Sequence, residues 1–407
     1  MNRIKNNLVI VLTNLFIKFT NFVAKAGFIQ EKKSSVLILP PTDSGSLGDQ
    51  AMVTAVVNYY REIGVKKIGL ICYKSVSDCQ NFYPDVKVFK YSNSFDFVRL
   101  VSHYEKFFCL GADVMDGFYS EKRSLLRAKL VGLAAEVGTE SSILGFSFNS
   151  EPKNTCIDAL QKLPQNVRLC ARDPISYERI VNHVKRPVEL VADLAFLLPP
   201  DNHSKVSSEV LKFVSENQSQ KRIVIGINAN CKLLDNLKIK TPENLTKIYV
   251  DTLVDLSRNK ETSFVLIPHD FREKDGAISD ITFARMIMNS LPPEIKSFCI
   301  EVPTPCSAAD IKAICREIDI VLTGRMHLAI ASLGQATPVA CITYQGKFKG
   351  LFQHFELDDL TISPEKAIIS DNLSKFMMPL IQKRGEIGKH ISSKLPHIYK
   401  LAKANFK

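Results

Sequence analysis

Arginine, histidine, tyrosine and lysine side chains lie close together in one short stretch of the C-terminal half. Arg325 and His327 follow an apolar run that predicts a strand, and they begin a segment of small and apolar residues that predicts a helix. Tyr344 and Lys347 follow the next apolar run. Because parallel strands end at the same edge of a sheet, these side chains are expected to meet beside a helix N-terminus, which favours anions. The pattern predicts an anion-binding site.

These residues also have ordinary structural interpretations. His327 would then stabilise the start of the helix, and Arg325 and Lys347 would form a solvated pair of surface cations. Lys349 competes with Lys347 for the binding role, but the spacing from Tyr344 favours Lys347. Histidine titrates near neutral pH and serves as an acid and a base, which makes His327 the catalytic candidate.

Three further residues are candidates because of their places in the predicted elements. Asp49 follows a loop with two glycines and begins a predicted helix, so it is either a base that contacts the acceptor or a helix cap. Arg172 follows a buried strand and either binds substrate or pairs with Asp173. His269 ends a strand of the second half and is expected to line the site.

The stretch from Arg325 to Lys347 resembles the C-terminal signature of polysaccharide pyruvyl transferases, with Arg-x-His on a small-residue helix followed by Tyr-x-x-Lys. Three upstream segments resemble further motifs of that family, in the same order. They are residues 45–49 (Gly-Ser-Leu-Gly-Asp), Arg172-Asp173 with Ser176, and Asp193. Two N-terminal loops, 110–113 and 145–149, depart from the family's glycine-rich pattern and concern the acceptor side.

The resemblance implies that phosphoenolpyruvate is the donor and that a cell-surface glycan, or its lipid-linked oligosaccharide precursor, is the acceptor. We expect no cofactor, and no metal either, because the cysteines show no zinc-site spacing and the histidines do not pair with them in the sequence. The catalytic residues would be His327 and Asp49. The substrate-binding residues would be Arg325, Lys347, Arg172, His269 and Tyr344.

Alternating apolar runs and helical periods predict an α/β protein with parallel sheets. The expected strands are 36–39, 67–72, 107–110, 142–146, 167–171, 222–227, 263–267, 318–322 and 339–343. The alternation restarts after a polar stretch, which predicts two Rossmann-like doubly wound domains facing a cleft, as in GT-B glycosyltransferases. The expected segments are a basic amphipathic start (1–35), an N-terminal domain (36–198), a linker (199–220), a C-terminal domain (221–380) and a basic tail (381–407).

The formal net charge of +11 comes from the two ends of the chain. Residues 1–35 hold six basic residues and one acidic residue, and residues 383–407 hold seven and one. A neutral body with basic ends argues against nucleic acid and favours an anionic membrane surface. Residues 1–35 fit an interfacial helix, a helix packed on the body, or a signal peptide. Ten cysteines without C-x-x-C pairs favour a reducing compartment, so we expect a cytoplasmic protein at the inner face of the membrane.

Two rival functions fit the same pattern. A GT-B glycosyltransferase that uses a nucleotide sugar would share the fold, but that class usually places carboxylates, rather than Arg, His and Lys, on the donor. A non-catalytic member of the fold would explain the altered glycine loops. The sequence favours pyruvyl transfer because of the block that begins with Arg325 and His327.

Overall fold

The structure, a computed structural model, describes residues 2–25, 34–42, 45–74, 76–230, 241–259, 261–273, 278–343, 347–357 and 360–407. The chain divides into two compact units. Unit 1 comprises Met1–Ser44, Met52–Leu194 and Leu401–Lys407, and unit 2 comprises Gly45–Ala51 and Ala195–Lys400.

Unit 1 contains a parallel sheet with the strand order β3-β2-β1-β4-β5-β6-β7. The strands are β1 Ser35–Leu39, β2 Lys67–Cys72, β3 Lys87–Lys90, β4 Lys106–Ala112, β5 Glu140–Phe146, β6 Arg168–Ala171 and β7 Glu189–Leu190. The helices are α1 Asn2–Lys25, α2 Leu47–Glu62, α3 Val76–Phe82, α4 Ser94–Val101, α5 Glu121–Glu136, α6 Asn154–Gln161 and α7 Pro174–His183. The central strands are buried along almost their whole length, as expected for a parallel sheet covered on both faces.

Unit 2 contains a second parallel sheet with the order β10-β9-β8-β11-β12-β13. The strands are β8 Ile223–Ile227, β9 Thr262–Leu266, β10 Cys299–Glu301, β11 Ile320–Thr323, β12 Val339–Ile342 and β13 Thr361–Ile362. The helices are α8 Lys205–Ser219, α9 Pro242–Asn259, α10 Asp280–Ser290, α11 Pro293–Lys296, α12 Ala308–Glu317, α13 Met326–Leu333, α14 Lys347–Gln353, α15 Pro364–Ala367, α16 Asn372–Gln382 and α17 Arg384–Lys403. Short 3₁₀ helices span Leu194–Leu197 and Ala404–Phe406. In each sheet the chain runs outward from the first strand, returns, and continues on the other side, which is the doubly wound order.

The segments predicted as the linker and the basic tail both contain helices in the structure. Residues 199–220 include α8, whose Val210 and Val214 are buried and which packs on α12 in unit 2. The C-terminal segment is helical rather than a free tail, because Ile391, Ile398 and Ala402 recur at helical spacing and are buried. Its last residues pack into unit 1, where the Arg168 guanidinium donates to the Lys407 carbonyl at 2.6 Å.

Helix α1 belongs to unit 1 and packs on α4. The Phe16 ring meets the Phe95 ring edge-on at 6.0 Å, and Thr13 is buried. The opposite side of α1 is an apolar stripe, exposed to solvent in this chain, formed by Leu8, Val11, Leu12, Leu15, Phe19 and Phe22. No helix among the described residues is both long enough and apolar enough to cross a membrane.

Candidate active site

Polar side chains gather at the carboxyl ends of three neighbouring strands in unit 2. Asn228 follows β8, His269 and Asp270 follow β9, and Arg325 follows β11. Strand β8 lies between β9 and β11, at the point where the winding of the sheet changes direction. Doubly wound sheets bind their ligands at such a switch point.

Asp280, the first residue of α10, lies at the centre of this group, and its side chain is only 1% exposed. Its Oδ1 accepts a hydrogen bond from Arg325 Nη2 at 2.6 Å, and its Oδ2 accepts one from Arg325 Nε at 3.2 Å. Oδ2 also accepts from Asn228 Nδ2 at 2.9 Å and from the backbone N–H groups of His269 and Asp270, both at 3.1 Å. Asp280 therefore joins the ends of β8, β9 and β11.

Arg325 also bonds to a second carboxylate. Its Nη1 donates to Asp270 Oδ2 at 3.1 Å, and Arg272 bonds to both oxygens of Asp270 at 2.7 Å. Burial alone would raise the pKa of Asp270, but its hydrogen bonds to Arg272 and the charge of Arg325 hold that pKa below its usual value. Two arginines balance two aspartates, so these four side chains form a neutral network.

The backbone at Arg325 is held by the end of β11. The Thr323 hydroxyl accepts the Arg325 N–H at 2.9 Å and lies 3.0 Å from the Asn228 side-chain oxygen, to which it donates. Thr323 and Asn228 are fully buried. These bonds fix where α13 begins, and His327 lies in its first turn.

The segment Gly45–Ala51 packs on the same strand ends. Ser46 forms an antiparallel bridge with Asp270, and the Leu47 N–H donates to the His269 carbonyl at 3.2 Å. The Ser46 hydroxyl accepts the Asp49 N–H at 3.3 Å, as an N-cap residue does at the start of a helix. Ser46 therefore serves as the cap, and Asp49 lies in the first turn of α2.

Gly48 lies against the imidazole of His327. A Cβ atom at Gly48 would be 2.2 Å from His327 Nδ1 and 2.6 Å from His327 Cβ, which no real side chain tolerates. Only glycine leaves this space. The structure thus brings two motifs that are far apart in sequence, residues 45–49 and the Arg325–His327 pair, into direct contact.

His269 is 5% exposed, and neither of its ring nitrogens has a hydrogen-bond partner among the residues that the structure describes. Burial, followed by the neighbouring His327 and Arg325, lowers the pKa of His269 to about 3. The ring is therefore neutral at physiological pH.

The profile of the polysaccharide pyruvyl transferase family matches residues 47–346, most of the chain. The chain belongs to this family of transferases. The match begins at the segment that packs on His327 and continues through β12, so it includes the whole group of residues at the strand ends.

Solved structures show the same fold at low sequence identity. A glycosyltransferase of Rickettsia africae is 10% identical, with a TM-score of 0.52 and coverage of 92% of this chain and 99% of that one. A putative UDP-N-acetylglucosamine 2-epimerase of Listeria monocytogenes is 10% identical, with a TM-score of 0.54 and coverage of 92% and 97%. S. aureus MnaA, solved with UDP, is 12% identical, with a TM-score of 0.54 and coverage of 88% and 90%. These similarities confirm the predicted class of two Rossmann-like units of the GT-B type. No curated protein matches the sequence.

The family motif at Arg172 forms an ion pair inside unit 1. Arg172 Nη1 lies 2.9 Å from Asp193 Oδ2, and both side chains are 2% exposed. Arg172 Nε also donates to the Ser147 hydroxyl at 2.6 Å. Asp173, the predicted alternative partner, caps α7 instead by accepting the Ser176 N–H at 2.8 Å. Arg172 is thus buried and paired in unit 1, and its contact with substrate stays a prediction.

For two of the predicted site residues, the prediction cannot be compared with a position in the structure. Tyr344 and the side chain of Lys347 lie outside the residues that the structure describes. Sequence reasoning in turn missed Asp280, Asp270 and Arg272. Asp270 directly follows His269 at a predicted strand end, so a signal was present there. Asp280 stands at the start of an ordinary helix and carries no such signal.

Proposed function

We propose that this chain transfers a pyruvyl group from phosphoenolpyruvate to hydroxyls of a cell-surface glycan or its lipid-linked precursor. The contact between Gly48 and His327 carries the proposal. It joins the first and last motifs of a pyruvyl transferase family at the switch point of unit 2.

The reaction requires four changes of bonding. The methylene carbon of phosphoenolpyruvate takes up a proton, and an acceptor hydroxyl adds to the neighbouring carbon as it loses its own proton. The bond from that carbon to the phosphate oxygen then breaks, and inorganic phosphate departs. A second acceptor hydroxyl adds and loses its proton, which closes a ketal with the pyruvyl methyl and carboxylate groups.

We assign the proton transfers to His327 and Asp49. Histidine both gives and accepts a proton near neutral pH, which suits the protonation of the methylene carbon. Asp49 lies one residue after Gly48, in the half-exposed first turn of α2, where a carboxylate is able to accept a hydroxyl proton. The close packing of Gly48 on His327 supports a shared site for the two.

The donor's phosphate and carboxylate are bound by cations in this proposal. Three N–H groups of Arg325 already donate to Asp270 and Asp280. Arg325 is therefore expected to contribute positive charge and to shape the site, rather than to bind the donor through two parallel hydrogen bonds. The four-residue network is neutral, and an anionic donor therefore needs a further cation. We assign that role to Lys347, and we assign polar contacts with the donor to Tyr344 and to neutral His269.

Replacing Gly48 with alanine tests the geometry of the site. The new Cβ would overlap both the ring and the Cβ of His327, so either His327 or the Gly45–Ala51 segment has to move. A displacement of about 1 Å lowers turnover on the order of 10²-fold. The matched control is Gly385→Ala in α17, where no atom lies within 4 Å of the new Cβ. Near-normal turnover of the Gly48→Ala variant would show that catalysis does not depend on the packing of Gly48 against His327, and would contradict the proposal.

Phosphoenolpyruvate is expected to raise the melting temperature of the protein, whereas UDP-N-acetylglucosamine is not. A ligand at a hundred times its Kd stabilises the native state by about 2.7 kcal/mol. For a unit of this size, each kcal/mol raises the Tm by roughly 2–4 °C. Differential scanning fluorimetry with the two ligands, and with inorganic phosphate as the control for simple anions, measures the effect.

The opposite result would favour a nucleotide-sugar glycosyltransferase. UDP is bound in the S. aureus MnaA structure, and Asp270 and Asp280 place two carboxylates in unit 2 of this chain. Both carboxylates are paired with arginine and Asp280 is buried, so neither is available to a ribose without breaking the network. A rise in Tm with the UDP-sugar alone would therefore overturn the donor proposal.

We also propose that the protein associates with the inner face of the membrane through α1. The apolar stripe of Leu8, Val11, Leu12, Leu15, Phe19 and Phe22 faces away from α4, and Phe19 and Phe22 are 62% and 71% exposed. The surrounding segment is basic, as an interfacial helix on an anionic leaflet requires. Phe16 and Ile17 do not belong to this stripe, because they pack against the core of unit 1.

The double substitution Leu15→Ser with Phe19→Ser is expected to remove at least about nine-tenths of the binding to phosphatidylglycerol vesicles that survives high salt, because it deletes two inserted apolar side chains. Ile63→Ser, which changes an equally exposed side chain elsewhere, should leave binding unchanged. Cosedimentation at low and high salt measures both. Unchanged salt-resistant binding of the double variant would contradict the role of α1.

A further inference from the structure

A cavity of about 590 Å³ lies in unit 1, and its lining contains none of the residues of the candidate active site. It is lined by the last part of β2, by β3 and the residues after it, and by α4. Strand β3 is the outer strand of its sheet. The volume is in the range of sites that bind small molecules.

The cavity has an apolar part and a basic part. Ile71, Phe89, Phe97 and Leu100 supply aliphatic and aromatic surface. Ile71 and Phe89 are paired across β2 and β3, so their side chains lie on the same face of the sheet. This surface is suited to hydrocarbon.

Lys90, Arg99 and His103 supply the basic part, and all three are exposed. Neither Lys90 nor Arg99 forms an ion pair with any residue in the described part of the chain. Asp96, the one carboxylate among the described residues of the lining, accepts hydrogen bonds from the Ser92 hydroxyl at 2.6 Å and the Asn93 amide at 2.7 Å, at the start of α4. Two cations therefore face one carboxylate that already has partners, which favours an anionic ligand.

Helix α4 connects this cavity with α1. Phe95 of α4 contacts Phe16 of α1, and Asp96, Arg99 and Leu100 of the same helix line the cavity. At 100° per residue these lie on adjacent faces of α4. Helix α1 and the cavity thus contact the same helix of unit 1, on adjacent faces of it.

We propose that this cavity binds one anionic phospholipid of the membrane, with its phosphate at Lys90 and Arg99 and the first carbons of its chains against Phe89, Phe97 and Leu100. The site gives the protein a headgroup preference that a simple interfacial helix lacks. The proposal goes beyond the membrane association through α1, and its test requires neither that anchor nor the pyruvyl transfer reaction.

A short-chain lipid tests the site without a bilayer. The sequence contains no tryptophan, so Tyr91→Trp places a single fluorescent reporter in the cavity lining. Dihexanoyl phosphatidylglycerol, below its micelle concentration, should shift the emission to the blue and reach saturation. Inorganic phosphate should not, and dihexanoyl phosphatidylcholine should bind more weakly because it lacks net negative charge.

Charge substitutions in the reporter protein locate the site. Lys90→Gln with Arg99→Gln should raise the Kd for dihexanoyl phosphatidylglycerol about thirtyfold, as expected for the loss of two basic contacts to an anionic lipid. Lys122→Gln with Lys129→Gln, an equal change of charge on α5, should leave the Kd unchanged. An equal loss in both double variants would show nonspecific attraction and overturn the proposal. The absence of saturable binding, or an equal response to inorganic phosphate, would overturn it too.

The vesicle experiment separates the two proposals. The Leu15→Ser and Phe19→Ser variant should lose the salt-resistant vesicle binding and keep its affinity for the short-chain lipid. If wild-type protein ignores vesicles but binds dihexanoyl phosphatidylglycerol, the anchor proposal fails and the cavity proposal stands. If vesicles bind through α1 and the short-chain lipid does not bind, the cavity proposal fails alone.

Discussion

Replacing His327 with glutamine is expected to lower turnover by about 10²–10⁴-fold, the usual effect of losing a group that transfers protons in the rate-limiting step. Glutamine keeps a polar side chain of similar length beside Gly48 but does not exchange a proton near neutral pH. The side chain is only partly buried, so the melting temperature should change little. Steady-state release of phosphate from phosphoenolpyruvate measures the first effect, and thermal unfolding measures the second.

His397→Gln provides the control, because His397 is an exposed histidine on α17. It should retain normal turnover and stability. A folded His327→Gln protein with near-normal turnover would return His327 to the role of stabilising the start of α13. If turnover of the His327→Gln variant falls and added imidazole restores it, the result would support proton transfer by His327 directly.

Replacing Asp280 with alanine is expected to destabilise the protein by about 3–5 kcal/mol, the cost of leaving one partner of a buried ion pair without the other. The substitution removes the acceptor for Arg325 and for the N–H groups of His269, Asp270 and the Asn228 amide. All of these donors lie at the carboxyl ends of the same three strands. The loss of stability should therefore concentrate in unit 2. Urea unfolding, followed by circular dichroism, measures the change.

Asp251→Ala, an exposed aspartate on α9, should change stability by no more than about 0.5 kcal/mol. Adding Arg325→Met to Asp280→Ala should recover part of the loss, because it removes the arginine left without its main partner. A loss of less than about 1 kcal/mol in the Asp280→Ala variant would contradict the central place given to this carboxylate.

The sequence identified the interior of both sheets and missed their edges. The nine predicted strands correspond to the nine inner strands, where uninterrupted apolar runs are buried on both faces. The four strands that were missed, β3, β7, β10 and β13, are the outer strands of the two sheets. They are two to four residues long and mostly half-exposed, so they leave no apolar run to detect.

The sequence predictions for the candidate site rest on local pattern. Arg325 and His327 open a helix directly after a strand, and residues 45–49 precede another helix. Their meeting, and the role of Asp280, depend on contacts between segments that are hundreds or tens of residues apart. A single carboxylate at the start of α10 has the same sequence appearance whether it caps a helix or joins three strands. Periodicity does not distinguish these cases.

The two basic ends of the chain are both helical but differ in how they are buried. The N-terminal end was expected to be an interfacial helix, a helix packed on the body or a signal peptide, and the C-terminal end a basic tail. At the C-terminus, apolar residues at helical spacing bury one face of α17, and its lysines cover the other face. At the N-terminus, α1 buries one narrow face and leaves a second apolar face exposed. Helices α1 and α17 therefore differ in the number of their apolar faces rather than in their charge.

The fate of the three carbons of phosphoenolpyruvate tests the central claim most directly. The protein is incubated in D₂O with ¹³C-labelled phosphoenolpyruvate and a hydroxyl-bearing glycan acceptor, and the glycan is analysed by NMR and mass spectrometry. We predict that the label appears in the glycan as a ketal whose methyl group carries one deuterium, with one phosphate released for each ketal formed. Phosphoenolpyruvate that remains intact, while a UDP-sugar is consumed and the glycan is extended, would contradict the account.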